Sequence, residues 1–135
     1  MKRLTPTLIL AAFTAACGGG GTTPTPVIPG TVSPPPGTAV WLNTYSAATT
    51  ATCPVATPDA GLVTITIAPG GNTLTWSDPG LGTVLFTNDG TGKYVWAETS
   101  AGISFRFLTP THAEGEAYGN YPPCRATWPT FLDRQ

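Results

Sequence analysis

Gly102-Ile103-Ser104-Phe105-Arg106-Phe107-Leu108-Thr109-Pro110-Thr111-His112-Ala113-Glu114-Gly115-Glu116-Ala117-Tyr118 reads as two strands and the turn between them. Centring the turn on Pro110 sets Ile103, Phe105 and Phe107 opposite Ala117, Gly115 and Ala113, so that each bulky side chain lies over a small one. The same register puts Arg106 beside Glu114 and Ser104 beside Glu116 on the other face, which is therefore the wet one. A one-residue slip would carry Glu114 and Glu116 into the core without partners, at a cost of several kcal/mol, so this register should dominate. The pattern is that of a sheet with one buried and one solvated face.

The same grammar extends outward from this hairpin. Gly61, Gly71, Gly82, Gly92 and Gly102 recur every ten or eleven residues with strand-like runs between them, the spacing of an all-β meander. The runs are Val40 to Tyr45, Leu62 to Ile67, Thr73 to Ser77, Thr83 to Asn88, Lys93 to Glu98, Gly102 to Thr109, Thr111 to Tyr118 and Cys124 to Trp128. Val63, Ile65 and Ile67 alternate with Leu62, Thr64 and Thr66, and Leu74 and Trp76 alternate with Thr73, Thr75 and Ser77. Centring the Asn88-Asp89-Gly90-Thr91-Gly92 turn on Gly90 pairs Phe86 with Tyr94 and Val84 with Trp96 as core candidates. About eight short antiparallel strands in one small all-β domain predict an up-and-down barrel or half-barrel, with a β-sandwich as the alternative. The resemblance to lipocalin-like barrels is architectural only. That family's Gly-x-Trp motif has no match, since Gly37 and Trp41 stand four apart.

Before the domain the composition changes abruptly. Residues 17–37 carry four consecutive glycines, then Pro24, Pro26, Pro29 and Pro34-Pro35-Pro36, with threonines and no charge. Such a stretch cannot bury a core and reads as a linker, flexible at its glycine end and extended at its proline end by about 3.1 Å per residue. Residues 1–16 comprise Met1-Lys2-Arg3 and an apolar run from Leu4 to Ala16, well short of the roughly 20 residues that span a bilayer. With the ending Thr14-Ala15-Ala16-Cys17, where Thr14 stands in place of the usual Leu, this segment resembles a bacterial lipoprotein precursor. The resemblance implies cleavage before Cys17, acylation of Cys17 and attachment to a membrane. Gly18 does not match the inner-membrane retention signal of double-membrane bacteria, so the implied address is the cell envelope, at the outer membrane.

Cysteine arithmetic agrees with that reading. Lipidating Cys17 leaves Cys53 and Cys124 as an even pair, expected to form a structural disulfide joining the two ends of the meander. Metal or redox use of these cysteines would need a Cys-x-x-Cys or a nearby His, and neither spacing occurs.

Residues 38–135 carry Lys93, Arg106, Arg125 and Arg134 against Asp59, Asp78, Asp89, Glu98, Glu114, Glu116 and Asp133, a net charge of minus three. The cations are not gathered into a patch or interleaved with aromatics, which argues against nucleic acid as a partner. His112, Glu114 and Glu116 alternate with Tyr118 along one strand and are the one catalytic-looking set. They lie on the solvent face with no identifiable nucleophile and no second histidine, so no catalytic residue, metal or cofactor is expected. Trp76, Trp96 and Trp128 are assigned to a filled interior, whereas Tyr118 and Tyr121 are expected at the surface with Arg106 and Glu114 as partner-facing residues. The expectation is a non-enzymatic envelope module that binds a protein or glycan partner. Its alternatives are a carrier of a small apolar ligand in a barrel cavity, and a lytic-enzyme inhibitor or hydrolase. Small lipoprotein inhibitors of cell-wall lytic enzymes share the general build, as a fold-level analogy.

Overall fold

The computed structural model describes residues 32–135. Cys17, the signal segment and the linker up to Thr31 lie outside the described residues. Nine strands follow in order: β1 (Gly37–Tyr45), β2 (Thr50–Ala51), β3 (Gly61–Ile67), β4 (Thr73–Asp78), β5 (Gly82–Asn88), β6 (Lys93–Ala97), β7 (Ala101–Thr109), β8 (His112–Tyr121) and β9 (Cys124–Arg134). Strands β1 and β3 to β9 pair antiparallel in sequence order, and β9 returns to β1, so eight strands close into a barrel. The ninth, β2, adds to β9 through Thr50 opposite Thr127 and Ala51 opposite Ala126. Closure excludes the sandwich.

The β7–β8 hairpin forms in its expected register, with Ile103, Phe105 and Phe107 opposite Ala117, Gly115 and Ala113. Its bulky row is buried. A Cβ on Gly115 would stand 2.6 Å from the Phe105 Cα and overlap the Ser104 carbonyl oxygen, so only glycine lets the two backbones approach this closely. The other hairpin departs by two residues. Thr87 pairs with Val95 and Asn88 with Tyr94, which puts Phe86 beside Trp96 rather than Tyr94. The Asn88 side chain accepts from the N–H groups of Gly90 and Gly92, the Asp89 carboxylate accepts from that of Thr91, and the Asp89 N–H meets the Lys93 carbonyl at 2.9 Å. These bonds draw residues 89–92 into a longer turn, with Gly90 and Gly92 both at a φ of 85°. A two-residue shift preserves the face, so Phe86 and Tyr94 are buried as expected, while Val84 and Trp96 are half-buried.

The last strand runs beyond its expected end at Trp128, through Pro129 to Arg134, and this extension closes the barrel on β1. Pro129 is tolerated because its carbonyl points away from β8 and accepts the Ser46 N–H at 3.0 Å. In an extended strand the N–H lies on the same side as the carbonyl, so its loss removes no bond to β8.

Inward side chains fill the barrel. Trp41 meets Phe107 at 5.4 Å between ring centroids, and Phe107 meets both Tyr94 and Phe105. Phe105 continues to Phe86 at 5.3 Å, and Phe86 stacks on Trp76 at 5.7 Å. Trp128 is half-buried. Two polar side chains are buried among the described residues: the Thr130 hydroxyl donates to the Asn43 side-chain oxygen at 2.8 Å, and the Asn43 amide nitrogen donates to the Tyr45 hydroxyl at 2.6 Å. Burial raises the Tyr45 phenol above its ordinary value, partly offset by that Asn43 bond. The large apolar side chains of the core point inward, while most threonines and the strand charges, with Val40, Leu62 and Leu85, point outward.

The segment just ahead of β1 lies against the barrel. The Val32 N–H donates to the Phe107 carbonyl at 2.9 Å, and Pro34 is buried. The described end of the linker, from Val32 on, is therefore held against the barrel near the β7–β8 turn. At the other end of the barrel, Cys53 and Cys124 are bonded, with Cα atoms 5.5 Å apart. The bond ties the segment after β2 to the first residue of β9.

Candidate functional site

Charge on the barrel wall is divided by strand. β1, β3 and β5 carry no Asp, Glu, Lys or Arg, and β4 carries only its terminal Asp78. Lys93, Arg106, Glu114, Glu116, Arg125, Asp133 and Arg134 all belong to β6 to β9. Strand alternation sends the first six of these outward, so one half of the wall is charged and the other half is threonine and aliphatic.

Two open grooves cross the charged half. The first, of about 540 Å³, has Lys93 and Arg106 on one side, Phe131 with Pro129 on the other, and Glu114 with Glu116 between. Arg106 is opposite Glu114 in register, as the sequence indicated, but no ion pair joins them. The guanidinium instead donates through Nη2 to the Thr91 hydroxyl at 3.2 Å, leaning toward the β5–β6 turn. Glu116 has no ion-pair partner among the described residues, so its carboxylate faces the groove unneutralised.

The second groove, of about 510 Å³, lies along β9 between β2 and β8, and Tyr118, Asn120, Arg125 and Thr127 line it. The Tyr118 ring covers Gly102, where a Cβ would come within 2.6 Å of its Cζ, and its hydroxyl donates to the Glu98 carbonyl at 2.8 Å. Strand glycine on the outer face is thus roofed by an aromatic. Tyr121 stands further out, 66% exposed. Tyr118, Tyr121, Arg106 and Glu114 all reach the surface, divided between the neighbourhoods of the two grooves rather than gathered in one.

His112 is held at both ends. Its Nδ1 lies 2.7 Å from the Asp133 carboxylate and its Nε2 lies 3.1 Å from that of Glu114. Those carboxylates, Glu114 foremost, hold the imidazole above its ordinary value and favour the doubly protonated ring. An imidazolium with both N–H groups engaged has no lone pair to accept a proton from a nucleophile. Asp133 lies beyond Pro129, in the half of β9 that follows the expected strand end at Trp128, and so stands outside the His112, Glu114 and Glu116 set. Among the described residues no group of His, Cys, Asp and Glu has the arrangement of a metal site.

No protein-family profile, curated protein or solved structure matches the chain.

Proposed function

We propose that the protein is a membrane-anchored envelope lipoprotein whose barrel is a non-catalytic module that binds a protein or glycan partner through the outer wall of β7 to β9. The observation that carries this reading is the one-sided wall. Side chains fill the interior apart from a pocket of about 150 Å³ at one mouth, beside Trp41, Ile65 and Ile67, which leaves the outer wall as the larger surface for recognition, and the strand charges other than Asp78, with the exposed tyrosines, lie on one half of that wall. Tyrosine and arginine beside a carboxylate left without a cation among the described residues, as at Glu116, are the residue types that supply stacking and directional hydrogen bonds to a sugar or a protein surface. The Cys53–Cys124 bond supports an exported, oxidising location, and the lipobox resemblance at Cys17 supports the anchor. The engaged imidazole of His112 favours binding over hydrolysis.

Replacing Cys17 by serine tests both halves together. The Cys17→Ser chain is expected to leave the membrane fraction and, immobilised, to retain an envelope protein or isolated cell-wall glycan. That retention should fall about tenfold or more when Arg106→Glu and Glu114→Lys reverse the groove charges, since mismatched charge at an interface costs several kcal/mol. Substitutions on the uncharged half, such as Thr66→Lys, should leave retention unchanged. Unaltered membrane fractionation would remove the anchor, and equal retention by both wall variants would remove the site.

A further inference from the structure

The barrel is closed, yet one of its seams is barely sewn. β5 and β6 pair only through Thr87 with Val95 and Asn88 with Tyr94, whereas β4 pairs with β5 along its whole length and β7 with β6 over five residues. Backbone direction shows what is left open. The Asn88 N–H donates to the Asn72 carbonyl at 2.8 Å, so the even residues Asn88, Phe86 and Val84 direct their backbone groups at β4. Thr83 and Leu85 therefore direct theirs at β6. By the same alternation the Glu98 N–H, which donates to Ala101, sets Ala97 toward β5. Continuing the ladder would place Leu85 opposite Ala97, but the pairing stops before it. Thr83 and Leu85 consequently present an open strand edge inside a nominally edgeless fold.

That edge has none of the usual protection. Natural sheets blunt free edges with charge, proline or a bulge, and β5 reads Gly-Thr-Val-Leu-Phe-Thr-Asn without any of them. Leu85 is 58% exposed, Leu81 ahead of the strand is 43% exposed, and Trp96 and Val84 are half-buried at the opening. The Thr-Pro linker of this chain is a poor occupant, because Pro24, Pro26 and Pro29 would each remove a donor from the ladder.

We infer that β5 is a homodimer interface, pairing antiparallel with β5 of a second copy about a two-fold axis at Val84. In that register Thr83 of each copy lies opposite Leu85 of the other. The four backbone bonds of the two pairs use only the groups left free by β4 and β6, and the Thr87–Val95 pair is undisturbed. A two-fold axis brings each residue close to its own copy, so any charge near it repels itself. The outward residues Thr83, Leu85 and Thr87 carry no charge, and Leu85 buries its exposed surface. This interface borders the charged half, which begins at Lys93 of β6, and does not use the outward residues of β7 to β9.

Sedimentation of the Cys17→Ser full chain over a concentration series, together with amide hydrogen exchange, tests the inference. The expected result is a dimer in which the Thr83 and Leu85 amides exchange slowly, becoming fast on dilution to monomer. Leu85→Lys, whose two charges would meet near the axis, should weaken the dimer by about tenfold or more while near-UV circular dichroism stays native. If that variant does not fold, Thr83→Lys takes its place, with Thr66→Lys as the control that keeps the dimer. A monomer at every concentration with fast exchange at both amides would overturn the proposal, as would a dimer indifferent to lysine at both positions. Protection of those amides only on adding envelope extract would assign the seam to a different partner.

Discussion

Replacing both Cys53 and Cys124 by alanine is expected to lower the stability of the domain by about 4 kcal/mol, the loop-entropy value for a bridge between residues 71 apart. The local structure around the bond should survive the change. Thr52 holds Arg125 through its N–H to the carbonyl at 2.9 Å and through its hydroxyl, which accepts the Arg125 N–H at 2.8 Å, and the Thr49 N–H reaches the Thr127 carbonyl at 2.9 Å. Since these contacts keep the segment in place, the loss falls on the unfolded chain, which gains the freedom the bridge denied it. Denaturant titration should show a lower midpoint with a larger slope, because the unbridged unfolded chain exposes more surface. For a domain of this size the melting temperature should drop by roughly 15–30 °C. A loss under about 1 kcal/mol would mean that closure of β9 on β1 carries the constraint without help.

Phe105→Ala is expected to cost about 4 kcal/mol. Phe105 is 1% exposed and touches four aromatic rings, with centroids at 5.3 Å for Phe86, 5.7 Å for Phe107 and 6.1 Å for both Trp76 and Tyr94. It also lies over Gly115, where no side chain can move in to fill the space. The cavity would therefore persist, which puts the cost toward the upper part of the range for buried aromatics. Phe105→Leu, which keeps much of the volume, should cost about 1.5 kcal/mol, and Leu108→Ala at the exposed end of β7 should cost about 0.5 kcal/mol or less. Equal losses for Phe105→Ala and Leu108→Ala in urea titration would contradict a core centred on Phe105.

Side-chain size and face made the β7–β8 hairpin legible. Large residues recur over small ones about a single centre, and any slip would bury two glutamates, so the sequence contains both the answer and the penalty for its alternatives. The turn at Asn88 was half legible. Its face followed from alternation, but its centre depended on which backbone donors the Asn88 and Asp89 side chains would capture, and composition alone does not fix that. Pro129 hid the second half of β9, and with it the closure on β1 and the Asp133 partner of His112. Proline argues against a central strand unless its missing N–H falls on the side away from the strand that carries the ladder, as at Pro129 relative to β8, and that is a property of the neighbours rather than of the residue. β2 was hidden by its length, since two residues have no period. The open β5–β6 seam was equally invisible, because Thr83, Leu85 and Ala97 read as ordinary strand residues whether or not anything pairs with them. Of the site residues, Arg106 and Glu114 were correctly placed as neighbours, yet their side chains diverge toward Thr91 and His112.

The central claim is that this barrel is solid and recognises its partner from the outside. Titration of the Cys17→Ser chain with a fluorescent fatty acid tests it most directly, reading probe emission and intrinsic tryptophan emission together. Trp41 and Trp76, 2% and 1% exposed, sit among the stacked rings and would report anything entering between them. The account predicts no saturable uptake and no tryptophan quenching. Saturable one-to-one binding with quenching of the buried tryptophans would show a carrier with an opening interior and would contradict it.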